Sequence, residues 1–233
     1  MTENAPTLDA RAIPRAEPVT SVSRALLVGG LIAGPVFILV AVIQALTRQG
    51  FDLSRHPLSL LSLGDLGWIQ TTNFVVSGLL VIAFSVGIRR ILPSNRRATW
   101  GSLAVGTFGA GLVVAGVSPP APAFAFPPGT PDGMPATVGT SAILHGVGFT
   151  VGFVSLTVTC LLFSRRFAAD ARSGWALYSV GTAVLALALS MWPGRDAASL
   201  RYFIAAAIAW AWISALAASM MNRVRERGSI SSA

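Results

Sequence analysis

The chain has 233 residues, 53% of them hydrophobic and 11% charged, with a formal net charge of +8. A soluble domain carries about 25% charged residues, so this composition cannot cover a water-facing surface and indicates an integral membrane protein. A soluble chain this basic would suggest nucleic acid, but in an apolar chain arginines serve to orient spans in a bilayer, and no nucleic-acid partner is expected.

Residues 1–24 are polar, of mixed charge, with three prolines, and read as a disordered tail. A bilayer core takes about 20 apolar residues in a helix. Six segments reach that length: Ala25–Leu46, Trp68–Ile88, Ala98–Val117, Ser141–Phe163, Gly174–Trp192 and Tyr202–Met221. In lipid each backbone must pair internally, which predicts an all-α bundle of six transmembrane helices over 25–221. Residues 222–233 follow as a second polar tail. Cys160 is the only cysteine and lies inside the fourth span, where it serves packing.

The first connection, GFDLSRHPLSLLSLGDLGWIQTTNF (Gly50–Phe74, overlapping the second span), is dense in polar groups. Asp52 and Arg55 can form a surface ion pair there. His56 at an N-cap, Pro57 at the first helical position and Gly64 as a stop predict a short interfacial helix over Leu58–Leu63. Gln70 and Asn73 lie one turn into the second span. The third connection, SPPAPAFAFPPGTPDGMPATV, holds seven prolines and no basic residue. Proline blocks regular helix and favours extended backbone. With Phe124 and Phe126 as apolar anchors, it is expected to strap the mouth of the bundle. His145 opens the fourth span near the same end.

Thirteen arginines fall in the two tails and the second and fourth connections, and four on the other side. The positive-inside rule then places both termini in the cytoplasm of a plasma-membrane protein, with the strap outside. Small residues at helical spacing, Gly30–Gly34 and Gly148–Gly152 among them, let helix backbones approach closely. They serve packing within the chain or a homo-oligomer.

Polar groups at membrane depth are costly and face the protein interior. His56, Ser59, Gln70, Asn73 and His145 are therefore the candidate ligand-binding residues, in a pocket open to the outer side. The competing reading is structural: His56 a cap, His145 an interfacial hydrogen-bonding residue. No HExxH, CxxC, P-loop or GxSxG motif is present, so neither a metal nor another cofactor is implied.

Three motifs together, the Gly50–Leu80 stretch, FPPGTP and LHGVGF, resemble the domain of unknown function 998 family of prokaryotic multi-pass membrane proteins. The resemblance spans all six helices. It implies this fold and a membrane location, and it carries no reaction. Membrane lipids are the expected partners. The leading expectation is a non-enzymatic protein that binds a lipid head group or small polar molecule. The alternatives are a hydrolase at the outer leaflet and a transporter of a neutral solute. The hydrolase would use a metal on His56 and His145 with Asp52, Asp132 or Asp196, or His145 as a base for Ser59.

Overall fold

The computed structural model describes residues 21–93, 96–135, 137–193 and 197–231. The greater part of the expected N-terminal tail, and Arg195 and Asp196, lie outside the described residues. Six α-helices follow in order: α1 (Ser21–Thr47), α2 (Gly67–Ile91), α3 (Arg96–Val117), α4 (Thr140–Ala169), α5 (Ser173–Met191) and α6 (Ala198–Ser231). All six are long and apolar enough to cross a membrane. The protein is an integral, multi-pass membrane protein with an all-α fold.

The helices begin and end beyond the hydrophobic runs. α1 starts at Ser21, ahead of the expected Ala25, and α6 continues past Met221 to Ser231. Arginine and glutamate, both good helix formers, stand in the α6 extension as Arg223, Arg225 and Glu226, and Val224 in it is buried.

Each helix packs on its neighbours in the chain, and α6 returns to α1, which closes a ring. Glycine sets the closest crossings. A Cβ on Gly78 of α2 would lie 2.7 Å from the Gly109 carbonyl oxygen of α3, and one on Gly109 would lie 2.6 Å from that of Gly78. Between α3 and α4, a Cβ on Gly111 would stand 2.6 Å from the Gly148 oxygen. Only hydrogen fits at these points. Gly30 and Gly34 are filled from within the chain as well, by the Phe84 ring and by the Trp210 backbone.

Aromatic side chains fill the interior. Phe37 sits between Phe74, which meets it edge-on, and Trp210, which is tilted against it, with ring centroids 5.2 Å from each. Toward the other end, Trp212 packs on Phe163 and donates its indole N–H to Ser179 at 3.0 Å. That bond satisfies a buried donor that would otherwise be costly to remove from water.

The connections α1–α2, α3–α4 and α5–α6 gather at one end, here called the strap end. The other end carries the Arg89–Arg90 and Arg165–Arg166 pairs.

Candidate functional site

The strap end is assembled from three groups of side chains. The first ties the two long connections together. His56 is buried; its Nδ1 accepts the Asp52 N–H at 2.8 Å, and its Nε2 lies 2.8 Å from the Phe124 carbonyl oxygen. Those partners require the neutral tautomer with hydrogen on Nε2. Phe126 is fully buried, edge-on to Phe51 and beside the His56 ring. Arg48 lies over the Phe126 ring at 5.5 Å and donates to the carbonyls of Leu61 and Leu63 at 3.2 and 2.6 Å. Burial lowers the pKa of its guanidinium.

Arg55 binds Asp132 of the proline-rich segment. The expected Asp52–Arg55 ion pair is not what forms. Asp52 instead accepts the N–H and hydroxyl of Ser54, which hold its carboxyl below the usual range. The local Asx geometry at Ser54 satisfies Asp52 more directly than a flexible arginine does.

The proline-rich segment is folded back on itself more tightly than a simple extended strap. Ala123 and Phe126 exchange backbone hydrogen bonds, and Phe124 N–H donates to the Gly133 carbonyl at 2.8 Å. Phe124 and Ala125 take positive φ, 56° and 65°, to make that turn. Leu58–Ser62 forms a 3-10 helix with Pro57 as its cap, where the sequence suggested a helix begun at Pro57. A segment of this length favours the tighter i→i+3 pattern. It buries Leu60 and Leu61.

The second group is a set of three amides between α1 and α2. Gln70 is fully buried, and its Oε1 accepts from Gln44 Nε2 at 2.8 Å and from Asn73 Nδ2 at 3.2 Å. Asn73 Nδ2 also reaches the Phe37 carbonyl at 3.0 Å. Gln44 was not singled out from the sequence, although an amide within an apolar run, one turn from a helix end, is the same signal that marked Gln70. The opposite atoms, Gln44 Oε1, Gln70 Nε2 and Asn73 Oδ1, are buried without a hydrogen-bond partner.

The third group lines a partly open cavity of about 360 Å³ between α1, α2, α3, α4 and α6, with Ser59 of the 3-10 helix and Ser190 of α5. Its walls are Phe37, Phe108, Phe153, Leu156, Ala209 and Trp210, with glycines 111, 148 and 152. Apart from the indole of Trp210, the polar side chains lie at one end: Ser59, His145 and Tyr202, with Ser190 in the last turn of α5. From His145 to Leu156 along α4 is about 16 Å at 1.5 Å per residue. That is roughly half the hydrocarbon thickness of a bilayer.

His145 is held by Nδ1, which donates to the Ala115 and Ser118 carbonyls at 2.8 and 3.0 Å and so caps the end of α3. In the neutral imidazole with its hydrogen on Nδ1, Nε2 carries a lone pair, and it has no protein partner among the described residues. Ser190 Oγ is buried with no partner. Of the five candidate residues, Ser59 and His145 share this cavity, Gln70 and Asn73 share the amide set, and His56 belongs to the strap contacts. Among the described residues, no three His, Cys, Asp or Glu side chains gather as metal ligands.

A family model described as "Protein of unknown function (DUF998)" matches residues 31–219. Comparisons with curated proteins and with solved structures found no match. The matched span runs from within α1 to within α6, so the chain belongs to this DUF998 family.

Proposed function

We propose that the protein binds a single-chain amphiphile bearing a hydroxyl head, of the monoacylglycerol type. Its hydrocarbon chain lies in the cavity between α3, α4 and α6, and its head sits at the strap end. The observation that carries this reading is the cavity's polarity: an apolar depth with side-chain hydroxyls and the His145 ring at one end, where the only protein hydrogen bonds of His145 among the described residues are through Nδ1 and Ser190 Oγ is buried without a partner. A neutral imidazole donating through Nδ1 can only accept at Nε2. The head must therefore donate a hydrogen bond there, which favours a hydroxyl over an ester or a phosphate oxygen. The cavity's size falls in the ordinary range for small-molecule sites.

Ser59, His145, Ser190 and Tyr202 meet the head in this reading. His56 secures the strap, and Gln70 and Asn73 brace α1 against α2. The hydrolase alternative has no support in the contacts of His145, whose Nδ1 is committed to backbone carbonyls and whose ring makes no hydrogen bond to Ser59. We place the protein in the plasma membrane with both termini cytoplasmic, on the arginine distribution. Six crossings put the start of α1 and the end of α6 at the same end of the bundle.

The test is binding of monopalmitoylglycerol to the purified full chain, with methyl palmitate as the analogue lacking donors. The glycerol ester should bind and the methyl ester should bind at least about tenfold more weakly, since the imidazole acceptor would be left unpaired. Ala206→Phe, which fills the cavity from α6, should abolish binding of both. Equal binding of both esters to Ala206→Phe and to the parent protein would refute the site.

A further inference from the structure

The end of the bundle opposite the strap holds a separate cavity of about 330 Å³, where the end of α2, the start of α3 and the last turns of α4 meet. Its wall is apolar at Leu92, Gly101, Leu162 and Phe163, and cationic at Arg165 and Arg166. Phe163 is buried and braced by Trp212, so the apolar floor is fixed. Arg89 and Arg90 in the last turn of α2 and Arg96 at the start of α3 add positive charge at the same end of the bundle. Asp170, the nearest acid along the chain, is bonded to Arg223 and lies within electrostatic reach of Arg166 as well.

A lining that is half hydrocarbon and half guanidinium, at the depth where helices leave the bilayer, matches a molecule with the same division. Arginine presents a planar fork that pairs with phosphate oxygens, and basic pockets between helices hold anionic head groups. A zwitterionic lipid would bring its own ammonium group toward these arginines, which disfavours it.

We propose that this cavity binds an anionic phospholipid, with Arg165 and Arg166 on the phosphate and the upper acyl chain against Leu92, Leu162 and Phe163. The site is independent of the cavity beside His145 and does not rest on the function proposed for it.

Native mass spectrometry of the full chain, released from mixed micelles, measures this directly. The probes are phosphatidylglycerol and phosphatidylcholine with identical acyl chains. One phosphatidylglycerol should be retained in preference by about tenfold. Arg165→Gln with Arg166→Gln should remove the preference. Arg24→Gln with Arg225→Gln, which takes two charges from the same end outside the cavity, should leave it. Gly101→Leu keeps every charge but fills the cavity, since a Cβ there meets Phe163 only at 3.4 Å; it should also lose the lipid, and it decides the matter if the arginine variant does not fold. An unchanged preference in Arg165→Gln/Arg166→Gln or in Gly101→Leu overturns the proposal. Equal loss in Arg24→Gln/Arg225→Gln overturns it too, by reducing the effect to general charge attraction. Excess inorganic phosphate should not displace the lipid, and displacement would show a site for free phosphate instead.

Discussion

His56 reaches the carbonyl oxygen of Phe124 across 2.8 Å, joining residues 68 apart in the chain. The same ring accepts the Asp52 N–H, so one side chain holds its own loop in shape and fastens it to the proline-rich segment. Removing it leaves a carbonyl and an N–H unsatisfied, at a cost of about 1–3 kcal/mol. His56→Ala should therefore lower the thermal midpoint of the detergent-solubilised protein and speed proteolysis near Gly129. Binding of monopalmitoylglycerol should persist in whatever fraction remains folded. Unchanged proteolysis would mean that the contact does not secure the segment.

The three amides give a sharper contrast. Gln70→Leu removes the oxygen shared by Gln44 and Asn73, leaving Asn73 Nδ2 only the Phe37 carbonyl at 3.0 Å and Gln44 Nε2 only the Val40 carbonyl at 3.4 Å inside an apolar bundle, at a cost of about 1–3 kcal/mol. Replacing all three with leucine removes every stranded group together. The triple variant should be less destabilised than the sum of the three single ones, because apolar replacement of both partners can be nearly neutral. Additive losses in denaturation would show that the three do not act as one set.

Much of this architecture is legible in the sequence, and the reasons for what is missing are specific. Spans announce themselves because lipid requires long apolar helices. The strap and the polar first connection stand out by composition. The partner of Arg55 does not, since Asp52 is three residues away and Asp132 is on another connection. Gln44 carried a visible signal that the polar loop beside Gln70 overshadowed. The cavity left no motif, because its walls are phenylalanine and glycine drawn from five helices, and those residues read individually as core. His145 was marked by its position, while its cap on α3 depends on carbonyls of Ala115 and Ser118 that no side-chain pattern reveals.

Acid should loosen the strap only at low pH. Asp132 is held below the ordinary carboxylate value of 3.8, first by the hydrogen bond from Arg55 and then by the Gly133 N–H. A carboxyl lowered on folding stabilises above its ordinary pKa, and that contribution disappears as pH falls through the lowered value. Amide protection at Phe124 and Gly133 should thus be constant from neutrality to about pH 5 and fall only below the ordinary carboxylate range. Both groups are solvent-exposed, so the effect is small. Asp132→Asn should abolish this component of the pH dependence. A transition that begins well above the carboxylate range would assign it to another group.

Helix crossings should tolerate no added methyl group where glycines meet. Gly111→Ala would put a Cβ 2.6 Å from the Gly148 oxygen and 2.7 Å from the Gly152 nitrogen. Overpacking of this kind costs about 1–3 kcal/mol. Gly146→Ala on the adjoining turn of α4 meets nothing within 4 Å and should be nearly silent. Equal midpoints for the two variants would contradict the close α3–α4 approach.

The most direct measurement of the proposed function is photocrosslinking with a monoacylglycerol that carries a diazirine in mid-chain, followed by peptide mapping. Adducts should concentrate on α4 between Gly148 and Leu156 and on α6 between Tyr202 and Trp210. They should be competed by unlabelled monopalmitoylglycerol and lost in Ala206→Phe. Label scattered over the lipid-facing positions Leu79, Val154 and Leu185, indifferent to competitor and to Ala206→Phe, would contradict a bound amphiphile in this cavity.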